Sequence, residues 1–520
     1  LIIGMWYTRT ASQSTDQYLL GGRRFGAAVT AMTMQSSSMS GYMFMGGPAF
    51  AFQQGWYALW YAIGDAGGAI INLSVLGKRM RRLSEILGAL SPIEYLEKRY
   101  ESAAVRIVGS VISIIFLFSY VFAQFIASGK ALATLTGFSY EWALIIGVGV
   151  IVAYTVAGGY LAVVYTDFVQ GIIMVVCVVL IGIMAFSYVG GLSGLNAELS
   201  SIDPTYLSLW GKDLAYYGQW GVVLGAILIY AIGYMGLPHI VVRHMSMRST
   251  KTVKNAILVA ATWNQFFVFT PYLLGLIGIV LLPNLSDPEM VIPELAFTFF
   301  PAVLAAIFLS AVMAAIMSTS DSLLMQAGTT LSRDVYQRFI NPNASPKQMV
   351  LVSRLCILIG GVVGIIVAVF EPPTVFALVI FAFGVLGNSF IVPYVASVYW
   401  KKANAMGALC AMIGGAVTNI LWTSLELESA TAIHPFIAGL LVSILGMVIG
   451  NQFGQTPSQR IQEAFDEAKG LRSFTSAMEK NISQDLAPEA KNISTYYFHS
   501  LKPNAQKGET DDHSAPYPAT

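Results

Sequence analysis

The sequence predicts an all-α, polytopic membrane protein. Only 11% of its 520 residues are charged and 56% are hydrophobic, with a mean hydropathy of +0.65. Ordinary soluble domains carry about 25% charged residues. The apolar residues gather into runs long enough to cross a ~30 Å hydrocarbon layer as helices, which takes about 20 residues. These runs are continuous, whereas strands of a membrane barrel would alternate polar and apolar residues.

Taken in order, apolar segments fall near 27–51, 55–77, 105–128, 140–157, 160–187, 219–240, 255–282, 301–327, 350–370, 373–399, 405–423 and 434–451. The opening stretch LIIGMWY is too short to span and reads as the remnant of a truncated first helix, which brings the expected total to thirteen. Residues 1–26 then form that remnant and a loop, 27–400 a core, and 401–451 two additional helices. Residues 452–520 form a polar tail, with an amphipathic helix at Pro457–Leu471 and a Pro-, Gly- and Asp-rich, partly disordered end.

Basic residues in the connecting loops set the orientation. One alternate set holds Arg9, Arg23 and Arg24, then Lys78, Arg79, Arg81, Arg82, Lys98, Arg99 and Arg106. It continues through Arg243, Arg248, Lys251 and Lys254, then Arg333, Arg338, Lys347 and Arg354, and ends with Lys401 and Lys402. The other set holds Lys130 and Lys212. The first set is expected to face the cytoplasm, with the C-terminus, across a plasma (inner) membrane.

Two spans are poor continuous helices. Gln35–Gly41, QSSSMSG, interrupts the first, and Gly46-Gly47-Pro48 follows. Gly233-Tyr-Met-Gly236 followed by Pro238 interrupts the sixth. Serine and glycine runs weaken helices, and proline stops them. Broken helices in corresponding places of two five-helix halves point to an inverted-repeat transporter with its site near the midplane.

Ala311–Ser322, AVMAAIMSTSDS, adds the chemistry. Ala315, Ser318 and Thr319 stand at i, i+3 and i+4 on one helical face, and Ser318, Asp321 and Ser322 repeat that spacing beside it. Such residues also bond back to their own helix. Four hydroxyls around a carboxylate in an apolar span nevertheless point to an ion path. Hydroxyl, carboxylate and carbonyl oxygens suit a small hard cation.

Four stretches together resemble the sodium/solute symporter family over nearly the whole chain: SSSMSGYMFMGGP, GGYLAVVYTDFVQG at 158–171, GYMGLPHIVVRHM at 233–245 and AAIMSTSDSLL at 314–324. Sodium/proline and sodium/pantothenate symporters are the nearest likenesses. The resemblance implies a LeuT-like five-plus-five inverted-repeat core with flanking helices. It implies sodium-coupled import of a small organic solute bearing a carboxylate, either a proline-like amino acid or pantothenate.

By the same resemblance, Na+ would be held by the carbonyls of Ser36, Met39 and Ala315 and the hydroxyls of Ser318 and Thr319. Asp167, Asp321 and Ser322 would form a second sodium site, or else Asp167 would cap or bridge helices at the cytoplasmic face. Gln35, Ser38, Ser40, Gly41, Tyr140, Tyr230 and Tyr234 would face the solute. Proline symporters carry an Asp where this chain has Ser38.

Other chemistries find little support. A net charge of +1 argues against nucleic acid. No nucleotide loop, catalytic triad or HExxH motif appears, which argues against an enzyme or an ATP-driven pump. Cys177, Cys356 and Cys410 read as small hydrophobes, and His239 and His244 as interfacial residues. The expected partners are sodium, the solute and the lipid bilayer, with no obligate protein partner evident. The rival readings are proton coupling through Asp321, Asp167 or Asp65, and a non-transporting membrane sensor.

Overall fold

The computed structural model describes Trp6, 14–370 and 374–469. Apart from Trp6, the expected first-helix remnant lies outside these residues, as does most of the expected polar tail. Regular structure among the described residues is helical, apart from two isolated bridges, Phe25–Met247 and Gly221–Ile433. Every apolar segment coincides with a helix or helix pair. Among the described residues, nine helical runs are long and apolar enough to span, and a bent pair, Trp220–Gly236 with Pro238–Ser246, makes a tenth.

One run is too long to be a single span. Tyr140–Tyr188 has 49 residues, and at ~1.5 Å per residue it would more than twice exceed the hydrocarbon layer. Gly159 divides it at φ 58°, a backbone conformation that glycine tolerates best. A Cβ there would also lie 2.7 Å from the Tyr18 ring.

Apolar stripes on the outer helices face outward among the described residues. On the Pro346–Val369 helix, Leu351, Leu355, Leu358, Val362 and Ile366 are all exposed, at helical spacing along one side. Polar groups are turned inward instead, as expected of a bundle solvated by lipid.

The two broken helices lie within the bundle. The first runs from Ala27 to Ser38, leaves helical geometry at Met39 (φ −85°, ψ 77°) and resumes through wide π turns at Tyr42–Gly46 into Gly47–Gln54. The second runs from Trp220 to Gly236, bends by 51°, and restarts at Pro238–Ser246. Pro238 lacks an N–H and keeps Leu237 extended (φ −93°, ψ 110°), so the helix cannot continue through it. The long Ala302–Thr329 helix packs against the first broken helix, Ala103–Thr136 and Tyr140–Tyr188.

The loops on the basic side are held by arginines. Arg99 is fully buried and donates to the carbonyls of Ser397, Trp400, Lys401 and Ala403 at the end of the Val375–Tyr399 helix. This satisfies carbonyls that a helix end leaves unpaired. Gln459–Ala468 forms the front of the expected amphipathic helix and buries Ile461, Ala464 and Phe465. Its preceding Ser458 donates a 2.6 Å hydrogen bond to Glu101. Helices Gly191–Ile202 and Val291–Phe299, outside the expected spans, cover the opposite side.

Candidate functional site

The helix ending at Ser38 leaves its last carbonyls without intrahelical donors. Two hydroxyls from Ala302–Thr329 meet them. Ser318 Oγ lies 2.8 Å from the Ser36 carbonyl and 3.1 Å from the Ala315 carbonyl, donating to both. Thr319 Oγ1 donates to the Ser37 carbonyl at 3.0 Å. Of the five expected sodium ligands, Ser36, Ala315 and Ser318 are thus gathered at one point, with Thr319 one residue further along the same strip. Met39, at the break, is buried. All of the gathered atoms are hard oxygens in a dry environment, a donor set that fits Na+ and not a soft metal.

The second expected site holds a cation of the protein's own. Asp167 Oδ2 accepts hydrogen bonds from Thr33 at 2.6 Å and Ser37 at 2.9 Å, and pairs with Arg243 Nη2 at 3.1 Å. The same Arg243 nitrogen donates to Ser37 Oγ at 2.5 Å and Ser322 Oγ at 2.6 Å. Both members of the pair are at most 1% exposed. Asp321 sits beside them through Ser322 and accepts a 2.8 Å hydrogen bond from Tyr154. The sequence puts Arg243 among the loop cations; it lies instead in the core. Arg248, Lys251 and Lys254 keep that loop basic without it. His239 and His244 are also buried, against the interfacial reading: they lie on the inserted half-helix Pro238–Ser246, and His244 pairs with Asn72 Oδ1 at 3.0 Å.

A cluster of rings sits between the breaks. Tyr230 packs on Tyr42 (5.2 Å between centroids), Tyr234 (6.0 Å) and Phe383 (5.0 Å). Tyr42 and Tyr272 share a 2.6 Å hydroxyl–hydroxyl hydrogen bond, and Tyr61 closes on Tyr230 from the side at 6.2 Å. The polar residues expected to face a solute surround the same break. Gly41 N–H donates to Gln124 Oε1 at 2.7 Å, Tyr120 donates to Ser40 Oγ at 3.3 Å, and Gln35 donates to Asn264 at 3.0 Å. Ser38 bonds back to the Gln35 carbonyl at 2.9 Å. Tyr140 stands apart, donating to the Ala368 carbonyl at 2.9 Å and packing on Gly129. Sequence reasoning missed Arg243, Tyr42, Tyr61, Tyr272, Gln124 and Asn264. Polar residues inside apolar spans were the available signal for the last two.

Contacts close over the site on the side away from the basic loops, and on the basic side they tie its two broken helices together. On the side away from the basic loops, Phe376 stacks on Phe50 (4.3 Å) and Tyr42 (5.5 Å). Glu289 there binds Lys130 at 2.7 Å and the Val375 N–H at 2.7 Å. On the basic side, Arg248 N–H donates to the Phe25 carbonyl at 2.9 Å, and Arg23 bonds the Met245 carbonyl at 3.2 Å.

The family model described as the sodium:solute symporter family matches residues 18–415. The chain is 33% identical over 482 residues to the high-affinity proline transporter PutP of Bacillus subtilis, covering 91% of this chain and 100% of that protein. It is 32% identical over 472 residues to the osmoregulated proline transporter OpuE of the same organism, covering 89% and 94%. Among solved structures it is similar to a Na+-coupled sialic acid symporter in a substrate-bound outward-open state, with a TM-score of 0.70, 20% identity, and 88% and 96% of the two chains covered. The nucleobase-cation-symport-1 family transporter Mhp1, in a closed conformation, gives a TM-score of 0.54 at 17% identity, with 87% and 98% covered. These structural likenesses show the expected LeuT-like fold.

Proposed function

From its membership of the sodium:solute symporter family, which makes the chain a multi-pass, sodium-coupled solute transporter and not an enzyme, we propose that it imports a small carboxylate-bearing solute with one sodium ion per cycle. A proline-like amino acid stands ahead of pantothenate, because the paired aromatic positions Tyr230 and Tyr234 match those of the proline-type members. The basic loops face the cytoplasm in this reading.

The observation that carries it is the convergence of Ser318 Oγ on the Ser36 and Ala315 carbonyls. These oxygens belong to two helices, the first broken one and Ala302–Thr329. A cation bound among them draws the two helices together. A ligand that binds one arrangement of two elements better than another shifts the equilibrium toward it. Ser318 and Thr319 each have lone pairs free to face an ion once their protons turn aside. Solute then binds beside the first break, near Gln35, Ser38, Ser40 and Gly41, against Tyr230 and Tyr234, and the site opens to the two sides of the membrane in alternation.

The single-sodium stoichiometry rests on Arg243. A second cation next to Asp167 would meet a guanidinium already bound there. Two like charges repel by about 4 kcal/mol at ~4 Å with an effective dielectric of ~20.

Uptake into proteoliposomes under an imposed sodium gradient tests the reading. Accumulation should require sodium on the loading side and grow with an inside-negative potential, since one charge gains about 2.3 kcal/mol per 100 mV. Accumulation driven by a proton gradient without sodium would overturn it.

A further inference from the structure

Asp65 lies in the middle of the Leu59–Asn72 helix and is 2% exposed. Most other buried carboxylates have cationic partners: Glu94 has Arg333, Asp167 has Arg243, Glu289 has Lys130 and Asp334 has Arg106. Asp321 has a phenol, Tyr154, but it lies beside the Arg243–Asp167 pair through Ser322 and not against the ring cluster. Asp65 also has a phenol. Its Oδ1 accepts from Tyr234 at 2.9 Å, and no ion pair among the described residues includes it. An ionised carboxylate in a dry interior is costly unless a positive charge meets it.

Asp65 is also joined to the solute region from two directions. Its own backbone carbonyl accepts from Asn264 at 2.6 Å, and Asn264 accepts from Gln35 at the first break. Through Tyr234 it reaches the second break and the ring cluster. There the Tyr230 ring packs 6.0 Å from the ring of the carboxylate's own phenol, Tyr234. Aromatic faces attract a cationic nitrogen, the more strongly the drier the contact. A carboxylate lacking a cation, joined through Tyr234 to the cluster of Tyr230, Tyr42, Tyr61 and Phe383, is a complementary environment for one chemical group.

We propose that Asp65 and this ring cluster form the subsite for a positively charged nitrogen, so that the transported solute carries a secondary or quaternary ammonium besides its carboxylate. The inference rests on the solute binding at the helix breaks. It separates the two candidate solutes, because a proline-like amino acid has an ammonium and pantothenate has none. It also gives the Tyr234 hydroxyl a role: it holds the carboxylate in place for the arriving charge while the ring supplies a face.

The test uses matched solutes that differ in the charge on one atom. L-proline is compared with tetrahydrofuroate and cyclopentanecarboxylate, and glycine betaine with tert-butylacetate; pantothenate is the further control. Thermal unfolding of the purified full-length protein is followed with and without sodium. Stabilisation beyond that of sodium alone should come from an ammonium member and not from its uncharged isostere. Asp65→Asn, which still accepts from Tyr234, should weaken that member at least tenfold and leave the sodium-induced shift intact. The intact shift doubles as the check that the variant is folded. An isostere or pantothenate that stabilises as well as the ammonium compound overturns the subsite. So does undiminished binding by Asp65→Asn, or a protein stabilised by sodium but by no ammonium member. A wild-type protein that sodium neither stabilises nor primes for any solute defeats sodium coupling itself, a separate failure.

Discussion

Arg243, on the second broken helix, places one guanidinium nitrogen 3.1 Å from Asp167 on the Tyr140–Tyr188 helix. The same nitrogen touches Ser37 of the first broken helix and Ser322 of Ala302–Thr329. Four segments far apart in sequence therefore meet on a single cation. The group is fully desolvated, and its attraction to Asp167 is offset by the cost of taking both charges out of water. Such a pair fixes an arrangement more than it adds stability, and losing one partner is far worse than losing both.

Arg243→Met alone should lower stability by about 3–5 kcal/mol, the usual cost of stranding a buried charge. Arg243→Met combined with Asp167→Asn should recover most of it. Thermal unfolding of the single and double variants in detergent checks this. Strictly additive losses would mean that the two groups do not interact.

Replacing both Ser318 and Thr319 with Ala should raise the sodium concentration for half-maximal uptake at least tenfold, a loss of only ~1.4 kcal/mol. Solute affinity at saturating sodium should change little, but it should fall at low sodium, because the two ligands share one conformational equilibrium. The variant should also be less stable, since the Ser36 and Ser37 carbonyls lose the hydroxyls they face; stranded buried acceptors cost about 1–3 kcal/mol each. Uptake at graded sodium separates the effects. Unchanged sodium dependence would remove these hydroxyls from the ion site.

Single cysteines at Lys212 and Ser286 should react with an impermeant thiol reagent added outside cells. Cysteines at Arg248 and Lys347 should react only after permeabilisation. Arg248, Lys347 and Ser286 are exposed and Lys212 is half-buried, so accessibility does not confound the result. Outside labelling at Lys347 would invert the orientation drawn from the basic loops.

Glu94 provides a pH handle outside the spanning segments. Burial works to raise its carboxyl, but hydrogen bonds and charge from Arg333, with Lys98 and the Leu90 N–H, prevail and hold it at about 2 against an ordinary value of 4.5. Because the folded value lies below the unfolded one, its contribution is complete above pH ~4.5 and is lost as pH falls toward ~2. That contribution is roughly 3 kcal/mol, since each pH unit between the two values is worth ~1.4 kcal/mol. Glu94→Gln should therefore flatten the acid limb of the stability profile between those values and leave its shape near neutral pH unchanged. An acid limb identical to the wild type would exclude Glu94 as its source.

The parts of the site legible in the sequence are those written in local spacing. The Ser/Gly run at the first break, the glycines and Pro238 at the second, and the i, i+3, i+4 set of Ala315, Ser318 and Thr319 each lie within one segment. Tyr230 and Tyr234, one turn apart, follow the same rule. Arg243 reads as a loop residue because it lies six residues from Ser249, among cations that do belong to the loop; only contacts with Thr33, Ser37, Asp167 and Ser322 reveal its depth. The remaining rings come from separate helices, and no spacing rule joins Tyr42 to Tyr272 or Tyr61 to Tyr230. The spanning helices were legible because lipid imposes a minimum length on every span; the shorter helices Gly191–Ile202 and Val291–Phe299 are under no such constraint.

The short bridge between Phe25 and Met247 reduces the number of independent motions in the core. It ties the basic ends of both broken helices together, with Arg23 on the Met245 carbonyl and Arg81 on the Met247 carbonyl as reinforcement. Neither half-helix can swing away from the site without pulling its counterpart, so the pair travels as one lever. A covalent staple between positions 25 and 247 should leave turnover intact, because it joins parts that already move together. A staple across Lys130 and Glu289, which belong to different helices on the far side, should arrest the cycle. Comparing the two cross-linked proteins in the same transport assay would show whether the core works with one moving part or two.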